Sequence, residues 1–108
     1  MKLSAIKLVT IIAPVYLKQE IVKFLRAAGI SGYTDYYAHG RGEMQLHDID
    51  VEETENVQFK ILVPSMVAHA LMHVIAEEFF EKEKVIVFEQ DANVIRQEKF
   101  NKVDYENT

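Results

Sequence analysis

Apolar residues crowd Ala5 to Ala13, where Ile, Val and Leu leave few polar gaps. Such a run reads as a strand buried on both faces. Pro14 ends it and suits the entry to a helix. Leu17, Ile21, Phe24, Leu25 and Ala28 then recur at offsets of four, three, one and three, the spacing of a helical stripe. Gly29 closes that helix. Tyr33 to His39 read as a second strand. Val57, Phe59, Ile61 and Val63 alternate with Gln58 and Lys60, a period of two that predicts a third strand. Pro64-Ser65 opens a second helix, with Ser65 the expected N-cap and Ala68, Leu71, Met72, Ile75 and Phe79 its apolar stripe. Beyond the charged turn Glu81-Lys82-Glu83-Lys84, a fourth strand runs from Val85 to Phe88. Ala92 to Ile95 either extend it past a bulge or form a short strand of their own.

The order is strand, helix, strand, strand, helix, strand. Right-handed crossovers in both halves give an α+β, ferredoxin-like (βαββαβ) antiparallel sheet with two helices on one face. The other sheet face is left uncovered. Because the first strand is apolar on both faces, that second face is expected to pack against other subunits.

Between Gly40 and Asn56 no period survives, and Glu43, Asp48, Asp50, Glu52, Glu53 and Glu55 keep the segment solvated. Connections in compact domains are usually about 4–6 residues, and longer ones tend to be functional. The segment opens on Gly40-Arg41-Gly42. Two glycines let backbone approach an anion closely while the guanidinium between them meets it. From Gln97 to Thr108 the chain is polar and reads as a tail or a docking arm.

Composition narrows the picture further. A chain of 108 residues, 49% apolar and 27% charged, suits one soluble domain, expected over residues 1–96. No apolar run approaches the roughly 18 residues of a membrane helix, and Met1-Lys2-Leu3 lacks signal-peptide grammar, so the expected location is the cytoplasm. The absence of cysteine excludes disulfides, thiolate metal sites and cysteine nucleophiles. A net charge of −5 argues against nucleic acid as a partner. No Ser/His/Asp order, paired carboxylate or phosphate-binding Walker loop is present, so the expectation is a protein that is not an enzyme.

Leu8-Val9-Thr10-Ile11-Ile12-Ala13-Pro14, Gly29 to Thr34, Gly40-Arg41-Gly42 and Asn56 to Val63 together resemble the PII signalling proteins. The resemblance covers roughly residues 6 to 96 and leans to the PII-like branch associated with bicarbonate transport and carboxysomes. It implies a homotrimer with an adenine nucleotide (AMP, ADP, cAMP or ATP) in each cleft between subunits. It also implies a T-loop, about residues 42–56, that binds a partner such as a membrane transporter, and it leaves open whether bicarbonate is a second ligand. Gly32-Tyr33-Thr34 matches the family's Gly-x-Thr, which puts Thr34 beside the base. Gly40, Arg41 and Gly42 match the loop base that faces the phosphates. Ile11 falls on the first-strand position that lines the base, and Arg96 on a phosphate-side arginine.

Several departures refine those implications. The family's Gly-rich second phosphate loop is replaced by Glu81-Lys82-Glu83-Lys84, which shifts the expectation from triphosphate toward AMP, ADP or a cyclic nucleotide. The loop lacks the tyrosine segment of the nitrogen-regulatory branch. Lys60 stands where many relatives carry glutamate. His69, His73 and Glu77 share one helical stripe at i, i+4 and i+8, and the alternative reading is a trimeric metal-binding or metal-tolerance protein using His69 and His73. A solvated helix face is the simpler account of that stripe.

Overall fold

The computed structural model describes residues 3–41 and 54–95. Strand β1 spans Ser4–Pro14, a 3-10 turn Val15–Leu17, helix α1 Lys18–Ala27 and strand β2 Thr34–Gly40. Strand β3 (Thr54–Val63), helix α2 (Ser65–Phe79) and strand β4 (Ile86–Val94) complete the chain order. The four strands form one antiparallel sheet in the order β2-β3-β1-β4, as the predicted topology requires.

Period two decides which side chains meet the helices. Val57, Phe59, Ile61 and Val63 of β3 are buried together with Val9, Ile11 and Ala13 of β1. Leu17, Ile21 and Leu25 of the first helical segment, and Ala68, Leu71, Ile75 and Phe79 of α2, cover that layer. Phe24 and Phe79 meet edge to face at 5.5 Å between centroids, joining the two helices.

α1 ends as its glycine predicts. Gly29 adopts φ 82°, its N–H donates to the Arg26 carbonyl at 3.0 Å, and the Ile30 N–H reaches the Leu25 carbonyl at 2.9 Å. This paired closure returns the chain toward β2 and buries Ile30 beside Leu25. Ala28, placed on the apolar stripe by spacing, lies beyond the last full turn and is exposed.

Three sequence expectations are corrected. Pro64, not Ser65, is the N-cap of α2, and no side chain caps that end. β3 begins at Thr54 rather than Val57, because Gly40, His39 and Ala38 pair with Thr54, Glu55 and Asn56. β4 is one unbroken strand, since Ile86 through Val94 pair continuously with Ile12 through Ser4.

Candidate functional site

β2 lies at the sheet edge, and its register on β3 sorts its residues between the two faces. Asp35 and Tyr37 stand opposite Phe59 and Val57 and so belong to the helix side. Thr34, Tyr36, Ala38 and Gly40 therefore share the helix-free face. Thr34 is exposed at one end of this row, and Arg41 is exposed just beyond the other. Thr34 and Gly40 are six residue steps apart, about 20 Å of extended strand.

Gly40 lies close to the end of the Asn56 side chain, which a residue with a Cβ would push aside. A Cβ there would come within 2.9 Å of Asn56 Nδ2 on the neighbouring strand. Gly40 also stands directly opposite Thr54, so the two feet of the intervening segment are side by side across the ladder. Gly42, the loop residues up to 53, and Arg96 lie outside the described residues.

Across the sheet from Thr34 runs a row that sequence alone does not assemble. Thr34 pairs with Lys60, Lys60 with Thr10, and Thr10 with Phe88. Lys60 Nζ donates to Thr10 Oγ1 at 3.2 Å, and Thr10 is 1% exposed. In the next row the Tyr36 hydroxyl donates to Gln58 Oε1 at 2.9 Å. Ile11 is not part of this assembly. It is fully buried between Phe59 and Val87, on the helix side, and is shielded by the sheet from Thr34.

The profile described as Nitrogen regulatory protein P-II matches residues 6–99. The chain belongs to the P-II family. Among solved structures, it is similar to a protein of the PII-like signalling type from Thermus thermophilus. Identity there is 32%, coverage 93% of this chain and 99% of that one, and the TM-score 0.76. It is also similar to CPII, a nitrogen regulatory PII-like protein from Thiomonas intermedia, solved with ADP and bicarbonate. That pair shares 27% identity over 93% of this chain and 98% of that one, with a TM-score of 0.76. CPII has also been solved with ADP, AMP and bicarbonate, at 27% identity, 88% and 98% coverage and a TM-score of 0.74. No curated protein sequence matches the chain.

In this P-II chain the helix side carries the paired charges. Lys7 Nζ lies 2.5 Å from Asp91, its cross-strand neighbour, and 3.9 Å from Glu89. The hydrogen bond to Asp91 raises the Lys7 pKa and lowers that of Asp91. Lys18 reaches from α1 to the Tyr37 hydroxyl at 3.3 Å and Asp35 at 3.8 Å, with its ammonium 5.0 Å from the Tyr37 ring centre. These contacts, the Tyr37 hydrogen bond foremost, raise the Lys18 pKa and tie the edge strand to α1. The Tyr16 hydroxyl bonds Glu83 at 2.6 Å and has its pKa raised for that reason, joining the 3-10 turn to the turn before β4.

The two helical histidines do not converge. His69 Nε2 faces Glu89 at 3.4 Å, whereas His73 Nε2 faces Glu77 at 3.3 Å. Among the described residues no group of three or more His, Cys, Asp and Glu side chains is placed to hold a metal ion. A groove of 320 Å³ between α1 and α2 is lined by Phe24, Met66, Leu71 and Val74 among other apolar side chains. It offers a phosphate nothing to bind.

Proposed function

We propose that this P-II protein is a non-catalytic cytoplasmic regulator that binds an adenine nucleotide in the clefts of a homotrimer. The observation that carries this reading is the helix-free face of β2, with Thr34 at one end of the row and Gly40-Arg41 at the other. The hydroxyl end suits a base and the glycine–arginine end suits phosphate oxygens. Because about 20 Å of strand is longer than AMP or ADP, the two ends serve one nucleotide only when they come from neighbouring copies across a cleft. CPII, bound to ADP with AMP or bicarbonate, supports a nucleoside mono- or diphosphate as ligand and bicarbonate as a second effector. Gly42 and Arg96 complete the phosphate side in this reading, while Ile11, buried on the helix side of the sheet, belongs to the core and not to the nucleotide contact.

The trimer is supported by what the helix-free face leaves open. Tyr36, Ile86 and Phe88 are 41%, 56% and 38% exposed there. A second copy covering them would both hide apolar surface and close a cleft over β2. The T-loop of about residues 42–56, whose feet are Gly40 and Thr54, would then carry nucleotide state to a partner such as a membrane transporter. Calorimetric titration with AMP, cAMP, ADP and ATP, with and without bicarbonate, tests the reading. ADP or AMP should bind saturably at one site per chain. If none of the four binds, the nucleotide assignment is wrong.

A further inference from the structure

The groove between the two helices is used by neither the core nor the proposed nucleotide site. Phe24 and Ala28 line it from the end of α1, and Met66, Val67, Leu71 and Val74 from the first part of α2. Met66 is 81% exposed and Val74 41%. At 320 Å³ the groove is near the lower limit of the roughly 300–1,000 Å³ typical of small-ligand pockets. Its lining side chains are all apolar, without the placed polar groups that orient a small ligand. It suits the apolar side chains of a peptide.

The strand ends say which peptide is at hand. β4 ends at Val94, opposite Ser4, and β3 ends at Val63, opposite Lys7, one residue before α2 begins. Thr34, the first residue of β2 after α1, pairs with Lys60 near that same end. The end of β4, the start of α2 and the end of α1 therefore share one end of the sheet. α2 lies over β1 and β4, where His69 meets Glu89. The chain beyond β4 thus leaves the sheet near the first turn of α2. Apolar surface marks the way, since Leu3 and Ile95, beside the last pair of β1 and β4, are 59% and 57% exposed.

Residues 96–108 lie outside the described part of the chain, and their sequence is polar except for Phe100, Val103 and Tyr105. Reaching the groove from Val94 means rising about 10 Å from sheet to helix and crossing about 10 Å of α2. Phe100 is six residue steps beyond Val94, about 20 Å of extended chain, so it is the first apolar residue that spans the gap. Val103 stands three further on, the spacing that puts two side chains on one helical face.

We propose that residues 97–108 fold back over the start of α2 and dock Phe100 and Val103 in the α1–α2 groove of their own chain. Glu98 then passes the first turn of α2, whose N–H groups no described side chain caps, and a carboxylate is favoured there. Docking covers Met66 and Val74, and a protein partner reaches this helix face only by displacing the arm. The groove is on the helix side, away from the face proposed to pack against other copies. The inference depends on neither the trimer nor a bound nucleotide.

The chain has no cysteine, so one introduced as Asn101→Cys, off the Phe100–Val103 face, takes a single nitroxide label. In methyl spectra of the full chain, diluted into unlabelled protein, the nitroxide should broaden Met66, Leu71 and Val74. It should spare Ile86 and Ala38, which lie on the helix-free face. Phe100→Ser and, separately, Val74→Asp should each abolish the broadening. Val74 is exposed, so that variant leaves the core intact, and Phe100→Ser leaves the groove itself unchanged. Absence of broadening at the groove, or broadening that persists in Phe100→Ser, would overturn the proposal. So would broadening that passes from a nitroxide chain to a methyl-labelled neighbour and is absent when both labels share one chain, because the arm would then dock on another copy.

Discussion

At the scale of single residues, Arg41 carries the largest expectation. A charge-assisted hydrogen bond contributes about 1.5–3 kcal/mol, so Arg41→Ala should weaken ADP and AMP roughly ten- to hundredfold by calorimetry. The Gly-Arg-Gly string is legible in sequence, but the approach of Gly40 to the Asn56 side chain is not, because it depends on the ladder between β2 and β3. Ile11 shows the same boundary from the other side. With both faces of β1 apolar, alternation does not say which residues face the helices, and only pairing with Phe59 assigns it to the core. Thr10 is not legible as a polar-row residue for a related reason. It reads as one β-former in an apolar run until register brings Lys60 beside it. Asp91 offers a test of the paired charges. Lys7 holds its pKa below the ordinary value of 3.8, so the pair stabilises the fold above that value and the contribution fades as pH falls through the lower folded-state pKa. Asp91→Asn should therefore lower the urea midpoint at pH 7 and narrow the difference between pH 7 and pH 3.

At the scale of elements, the periodic segments were legible and their polar ends were not. Thr54, Glu55 and Asn56 look like loop because none is apolar, yet all three are paired with β2. Backbone hydrogen bonds extend a ladder regardless of side-chain hydropathy. β4 continues past Phe88 for the same reason, through Glu89, Gln90 and Asp91. Glu89 and Asp91 face Lys7 there instead of water alone. The end of α1 was readable because only glycine takes a left-handed turn without cost. Gly29 sits at φ 82°, so Gly29→Ala should destabilise the fold by about 1–2 kcal/mol in denaturant unfolding. Gly29→Asn should cost less, since asparagine tolerates the same region.

At the scale of the molecule, βαββαβ order and an apolar second sheet face are both visible in the sequence, and the Thr34–Lys60–Thr10 row on that face is not. It emerges only when the strands are in register. Ile86→Asp with Phe88→Asp places two carboxylates on the face proposed to pack against other copies, and should convert trimer to monomer in sedimentation. Because Gly40 and Thr54 are ladder neighbours, a short Gly/Ser turn can replace residues 43–52. That variant should keep its fold and bind ADP within about twofold of the parent while losing its protein partner. The central claim, an adenine-nucleotide sensor built on β2 and the Gly40-Arg41 corner, is tested most directly by calorimetric titration of ADP into the parent and into Arg41→Ala. The account predicts saturable binding of one ADP per chain in the parent, and at least tenfold weaker binding in the variant. Absence of binding in the parent, or equal affinity in the two proteins, would contradict it.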